Sequence, residues 1–248
     1  MKKVLHLALG TKHSHWECIY ENAKTTWMAC SPPNIKTIFM FGGENKIFWD
    51  GDNSFYVDRA DNHSTQVLLY KTIKAFEWFY ESEYDYIYRT NCTGYFDLKL
   101  VSEYLENKPT TNFYSGFIGN FTSSQYASYC GLIGNFDSFQ YASGASFFLS
   151  KNLVKQIIDN QDLLFGYNYP SWMDDVCIGH FLNQELGINI DDDITSNNLR
   201  KRVTPENIDD DLDMSFFHYY VDPRNSNVKN LGDSYVRLIN KIHQLKNL

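Results

Sequence analysis

Three apolar runs divide the first half of the chain, and each closes on a small or polar turn. Val4 to Leu9 ends on Gly10-Thr11, Thr37 to Phe41 on Gly42-Gly43, and Tyr84 to Asn91 on Cys92-Thr-Gly94. Short apolar runs bounded in this way read as buried strands. Helical patterns follow them. From Ser64, the residues Leu69, Ile73, Phe76 and Tyr80 share one face with Lys71 and Lys74 outside it, and from Asp97 the residues Leu98, Val101 and Leu105 do the same. Asp61 or Ser64 is placed to cap the first of these helices. Strands that alternate with helices through residue 106 predict an α/β fold with a mostly parallel central sheet covered by helices on both faces. Ligands of such sheets gather at the carboxyl ends of the strands. That rule marks Gly10, Thr11, Arg89, Asn91 and Thr93, although Asn and Thr are equally the ordinary residues of turns and caps.

No linker interrupts the 248 residues, so one domain over residues 1–248 is expected. Residues Ile47 to Asp61 form a polar-aromatic stretch with a turn at Trp49-Asp-Gly-Asp52. Met1-Lys-Lys-Val opens like a signal peptide, but His6 breaks the apolar run and Gly10 closes it, so the segment reads as a first strand. No stretch reaches the roughly 20 apolar residues that span a bilayer. The net charge of -8, with no basic cluster beyond Arg200-Lys-Arg202, argues against a nucleic-acid partner. The five cysteines are odd in number and lack Cys-x-x-Cys spacing, which predicts reduced thiols and a cytoplasmic protein without a membrane span.

The middle of the chain carries a tandem near-copy. Gly116-Phe-Ile-Gly-Asn-Phe121 begins a segment that is repeated from Gly131-Leu-Ile-Gly-Asn-Phe136, and the pair runs to Ala145. Two short copies are too few to stack as a solenoid, so a surface hairpin or loop is expected. Ser146 to Leu149 then reads as a strand, Ser150 as a helix cap, Ile188 to Ile190 as a strand, Phe216 to Val221 as an aromatic strand containing His218, and Asp233 as the opening of a last helix. The acidic runs Asp191-Asp-Asp193 and Asp209-Asp-Asp-Leu-Asp213 read as solvated charge.

Between these elements stands Pro170-Ser-Trp-Met-Asp-Asp-Val-Cys-Ile-Gly179. Ile178, Phe181, Leu182 and Leu186 recur at helical spacing, Ser171 with Asp174 forms a capping box, and Gly187 marks the end. Asp174 and Asp175 therefore sit at a helix mouth, where unpaired N–H groups favour an ionised carboxylate. Asp175 becomes a candidate proton acceptor, and both acids are equally candidate caps.

Three segments in order resemble the beta-1,3-galactosyltransferase and Fringe-like glycosyltransferases. They are Asp61-Asn62 with Val67-Leu-Leu-Tyr-Lys-Thr-Ile73 and Trp78; Tyr141-Ala-Ser-Gly-Ala-Ser-Phe-Phe-Leu-Ser150; and Asp174-Asp-Val-Cys-Ile-Gly179. The resemblance implies a GT-A fold. It also implies an inverting transfer of sugar from a nucleotide-sugar donor, most simply a UDP-sugar, to a glycan or glycoprotein hydroxyl. Under it, Asp175 is the general base; Gly10, Thr11, Asp61, Lys71, Arg89, Asn91 and Thr93 face the donor; and Tyr141, Gly144 and Asp174 face the acceptor. Where the family carries a run of aspartates for Mn²⁺ or Mg²⁺, this chain has Arg89-Thr-Asn-Cys-Thr93. A cation would then rest on Asn91 and, late in the chain, on His218, with Arg89 meeting phosphate directly. The departure keeps open a protein that binds a nucleotide sugar or glycan without turning it over. Family members with membrane anchors and disulfides differ from this chain, which suits a bacterial or virus-encoded soluble enzyme.

Overall fold

The computed structural model describes residues 1–12, 16–61, 65–122, 138–166, 173–191, 200–204, 208, 213, 215–216, 218–221 and 231–247. The expectations placed on Asn62, Ser64, Cys130, Ser171, Asp192, Asp193 and Asp209 to Leu212 lie outside them, as does the centre of the duplicated segment.

Four strands form the parallel heart of a seven-stranded sheet: β1 (Val4–Leu9), β2 (Ile35–Phe41), β4 (Ser54–Tyr56) and β5 (Tyr86–Asn91). The full order is β3-β4-β2-β1-β5-β8-β7, where β3 (Phe48–Trp49), β8 (Phe139–Ser150) and β7 (Tyr114–Phe121) run antiparallel to their neighbours. Helices cover both faces, as the alternation of strand and helix requires. Leu5, Leu7 and Leu9 pack on one side with Ile38, Met40 and Ile87, under α2 (Thr65–Phe79), α4 (Lys151–Asp159) and α6 (Asp174–His180). Val4 and Ala8 face the other side with Phe39, Tyr86 and Phe148, under α1 (Trp16–Thr25), α3 (Leu98–Leu105) and α7 (Leu231–Lys246). A strand buried on both faces has no polar side, which is why β1 reads as a continuous apolar run. Its one exception, His6, is fully buried between Thr37 Oγ1 (3.1 Å) and Thr90 Oγ1 (2.8 Å). Burial keeps the ring neutral, with its pKa lowered to about 3.

Several local expectations need correction. The stretch from Ile47 to Asp61 holds the short hairpin β3–β4, whose turn carries Gly51 at φ +89. Of the two forms expected for the duplicated segment, hairpin or loop, the described residues give antiparallel strands that belong to the main sheet. Its first copy supplies Gly116 to Phe121 of edge strand β7, and its second supplies Phe139 to Ala145 of β8, with Phe121 opposite Phe139. Ser150 stands at the N-cap of α4 without capping it, because its hydroxyl accepts from Phe113 N (3.0 Å) and donates to Asn152 Oδ1 (2.8 Å). Asp97 does cap α3, accepting from Leu100 N. Ile188 to Ile190 makes no strand; Asp191 N instead donates to Tyr114 O, and the Asp191 side chain pairs with Lys108. Helix α5 (Gln161–Gly166) follows α4 directly.

A second, three-stranded sheet pairs β6 (Gly94–Phe96) antiparallel with β10 (His218–Val221), and β10 parallel with β9 (Arg200–Val203). It abuts the carboxyl end of β5, since Val221 N donates to Thr93 O (3.3 Å). No helix among the described residues is long and apolar enough to cross a membrane.

Candidate active site

Helix α6 positions the two acids. Val176, Cys177 and Ile178 are buried, and the helix lies against β8 at a glycine, where a Cβ on Gly179 would come within 2.3 Å of Tyr141 Cβ. That contact explains why the segment after Asp174-Asp-Val needs glycine there. The helix continues as a π-turn, Phe181–Glu185, and ends at Gly187 with φ +65, the left-handed conformation expected of a terminating glycine.

Asp174 lines the cleft but does not cap the helix. Its carboxylate is buried and fully engaged: Arg89 Nη2 lies 2.8 Å from Oδ1 and 2.6 Å from Oδ2, and Thr72 Oγ1 donates to Oδ2 at 2.7 Å. The partner is equally buried. Arg89 Nη1 donates to the carbonyl of Gly144 and to Asn91 Oδ1 (3.0 Å). An arginine and an aspartate at 1% and 2% exposure survive in the interior only as such a pair, with Thr72, Gly144 and Asn91 supplying further hydrogen bonds around it. The guanidinium thus fastens β5 to α6 and β8, and its charge is committed before any phosphate arrives.

Asp175 is held differently. Gly144 N donates to its Oδ2 (2.6 Å) and Val176 N to its Oδ1 (2.9 Å), and the half-buried side chain lines an open cleft of about 310 Å³. The sequence pattern predicts an acid kept ionised by the helix mouth. Burial, and then the neighbouring charge of Asp174, instead push its pKa up to about 6, against the opposing pull of Gly144 N–H and Arg89. Gly144 is required at this spot, because a Cβ there would lie 3.0 Å from Arg89 Nη1 and 3.1 Å from the Asp175 carboxyl carbon.

The rest of the cleft is formed by Leu68, Asn91, Ser143, Ala145, Met173 and Tyr220, at the carboxyl end of β5. A larger hollow of 420 Å³ lies by Lys24, Met28 and Ser31, but it is at the amino end of β2 and contains no carboxylate. The carboxyl-end cleft is where a parallel sheet presents backbone and side chains to a ligand.

Gly10, Thr11, Asp61 and Lys71 do come together, but as a closed cluster. Lys71, far from standing outside its helix, is buried and donates to Asp61 Oδ1 (2.9 Å) and Gly10 O (3.1 Å). Asp61 also accepts from Gly42 N (2.9 Å), Lys12 N (2.6 Å) and Thr11 Oγ1 (3.0 Å), so with Lys71 it ties the ends of β1 and β2 to α2. Burial opposes its ionisation, yet Lys71 and these N–H groups outweigh that and hold its pKa below the usual carboxylate range.

Tyr141 and Thr93 do not line the cleft. The ring of Tyr141 lies against Gly119, where a Cβ would meet Cζ at 2.6 Å, and Thr93 is nearly buried while its carbonyl anchors β10. Leu68, Thr72 and Tyr220 were not anticipated. Leu68 and Thr72 are one turn apart on α2, a spacing that could have paired them, but nothing local in the sequence pointed Thr72 at Asp174.

Asn91 and His218 do not fit a divalent cation. Asn91 Oδ1 already accepts from a guanidinium, which would repel a cation beside it. His218 is buried, with Nδ1 3.0 Å from Ser146 Oγ, its ring stacked on Phe96 at 4.8 Å, and its Nε2 edge tight over Gly94. It joins the small sheet to β8. Among the described residues no three His, Cys, Asp or Glu side chains gather to hold a metal.

A mixed seven-stranded sheet between helical layers, with an acid-bearing cleft at its carboxyl edge, defines a GT-A glycosyltransferase fold. The chain is similar to the galactosyltransferase LgtC, solved in complex with donor and acceptor sugar analogs: TM-score 0.50 and 11% identity over 96% of this chain and 95% of that one. No protein-family model and no curated protein sequence matches it. The likeness supports the glycosyltransferase fold and does not single out the beta-1,3-galactosyltransferase or Fringe-like families.

Proposed function

We propose that the chain is an inverting glycosyltransferase that moves a sugar from a nucleotide-sugar donor, a UDP-sugar, to a hydroxyl of a glycan or glycoprotein. The observation that carries this reading is Asp175, an unpaired carboxylate at the wall of the cleft, aimed by Gly144 N–H and raised to a pKa of about 6. A general base works best with a pKa just below the operating pH, because it is then both ionised and basic. Asp175 would take the acceptor hydroxyl proton as that oxygen attacks the anomeric carbon. The bond from that carbon to the diphosphate breaks, and the nucleoside diphosphate leaves.

The neighbours have supporting roles. Asp174 and Arg89 fix the helix mouth and the β8 backbone that orients Asp175. Arg89 also lines the cleft, and its buried Nε–H has no acceptor among the described residues, an orphan that a ligand oxygen would satisfy. The Asp61–Lys71 cluster holds the Gly10-Thr11-Lys12 turn at the donor end of the sheet. Because Asn91 and His218 do not fit a divalent cation and no metal-holding group gathers among the described residues, no step is routed through one.

The alternative, a nucleotide-sugar or glycan binder without turnover, is favoured by one feature: neutral Asn91 and Thr93 stand where acids are expected. The unbridged thiols of Cys18, Cys30, Cys92 and Cys177 are compatible with the cytoplasm, where we place the reaction. Calorimetric titration with UDP, followed by UDP release from a panel of UDP-sugars, tests the proposal. Binding with release supports the enzyme, binding alone supports the binder, and no binding rejects both.

A further inference from the structure

We propose that Asn91 selects the acceptor sugar: its amide N–H2 donates to an oxygen of that sugar beside the hydroxyl whose proton Asp175 takes. The assignment rests on the transferase reading above and names the chemistry of its acceptor, a neutral ring with two neighbouring oxygens. The direction of the amide is fixed by Arg89. Asn91 Oδ1 accepts from Arg89 Nη1 at 3.0 Å, and a guanidinium carries donors only, so the amide must turn its oxygen, and not its nitrogen, toward that group. The N–H2 arm therefore faces away from the buried pair, on a half-buried residue that lines the cleft, and no acceptor among the described residues takes it. The hydroxyls of Ser143 and Tyr220 on the same wall can each donate or accept, so they discriminate less.

The charges of the cleft favour a neutral partner for this amide. Among the described lining residues Asp174 and Asp175 are acids and Arg89 is the cation, and Arg89 is committed to Asp174. A phosphate next to Asn91 would face the uncompensated carboxylate of Asp175, whereas a sugar hydroxyl carries no charge to repel. Gly144 ties the two groups together. Its carbonyl accepts from Arg89 Nη1, the nitrogen that holds Asn91, and its N–H donates to Asp175 Oδ2 at 2.6 Å. A carboxylate that accepts and an amide that donates, one residue apart, match a diol: one hydroxyl gives its proton to Asp175, and the neighbouring oxygen accepts from Asn91. Leu68, Met173 and Tyr220 supply apolar surface in the same cleft, against which the C–H face of a sugar ring can lie.

The test follows methyl β-galactoside, methyl β-glucoside and methyl α-mannoside by ligand-observed NMR on the full chain in the presence of UDP, and UDP itself by calorimetry, in wild type, Asn91→Asp and Asn91→Ala. Asn91→Asp keeps an oxygen on Arg89 Nη1 and removes the donor, so it separates binding from stability. The sugar that binds wild type best should bind this variant about 3- to 10-fold more weakly, the usual effect of losing one hydrogen bond. Asn91→Ala should lose sugar affinity to the same extent and keep UDP affinity within about two-fold. Among the deoxy forms of that sugar, one should bind wild type and Asn91→Ala equally, which identifies the oxygen that the amide meets. Four results overturn the assignment: equal sugar affinity in wild type and both variants, a UDP loss in Asn91→Ala as large as the sugar loss, a deoxy series in which every member still distinguishes wild type from Asn91→Ala, or no sugar bound by a wild type that binds UDP. In each of these the transferase reading stands if UDP binds. If wild type binds no UDP, that reading fails and takes Asn91 with it.

Discussion

Replacing Asp174 with Asn isolates what the buried pair contributes. The side chain keeps its shape and can still hydrogen-bond Thr72, so the main loss is the charge facing Arg89 Nη2 at 2.6 and 2.8 Å. Arg89, 1% exposed, would then be a buried cation without a counter-ion. Breaking one side of a buried pair costs about 3–5 kcal/mol, a large fraction of the 5–15 kcal/mol that stabilises a typical domain. At a urea slope of about 2–3 kcal/mol/M the unfolding midpoint should fall by about 1–2 M, read from intrinsic fluorescence at pH 7. A second readout accompanies it. The Asp174 charge is a cause, after burial, of the raised pKa of Asp175, so the acid limb of activity should move below pH 6 in the variant. A cost of only about 1 kcal/mol, as for a lost helix cap, would refute the buried pair.

Three further outcomes are expected. In wild type, kcat/KM should fall as pH drops through about 6, because protonation removes the base; the same raised pKa means that the contribution of Asp175 to stability declines as pH rises from its unfolded value through about 6, and a flat rate profile between pH 5 and 8 would contradict both. Gly179→Ala should destabilise by about 1–3 kcal/mol or more in thermal unfolding, since its methyl would collide with Tyr141 Cβ and separate α6 from β8. Lys71→Met should cost about 3–5 kcal/mol by leaving Asp61 buried without its cation, whereas an exposed lysine at that position would cost almost nothing.

What the sequence disclosed is what repeats locally. The strands at Val4 to Leu9 and Tyr86 to Asn91, the helix beginning after Asp97 and the stop at Gly187 are written in short windows, and the structure contains them. What it withheld depends on partners far along the chain. Asp174 resembles a cap because its true partner is 85 residues away on β5. Lys71 looks solvent-facing because a helical pattern assigns lysine to water, and only the fold brings Asp61 over it. Of the small sheet only β10 was legible, within the aromatic run Phe216 to Val221; β6 and β9 are strands of three and four residues with no clear alternation, stabilised by their neighbours rather than their own pattern. The duplication suggested a surface hairpin or loop, and the antiparallel pairing of β7 with β8 fits the first of these, but repeated sequence says nothing about which copy pairs with which strand. For the site itself, the residues of the Asp174-Asp-Val segment were visible, with Asp175 as the candidate base, but the burial of Asp174 against Arg89 was not.

The account stands most directly on Asp175. UDP release from a panel of UDP-sugars, with water or an added sugar as acceptor, should be compared between wild type and Asp175→Asn, alongside UDP affinity and urea stability. Asn preserves the acceptor for Gly144 N–H and removes a desolvated charge. The variant should therefore bind UDP as wild type does, unfold at an equal or higher urea concentration at pH 8, and release UDP at least about 10²-fold more slowly. A folded Asp175→Asn protein that releases UDP at the wild-type rate would contradict the central claim.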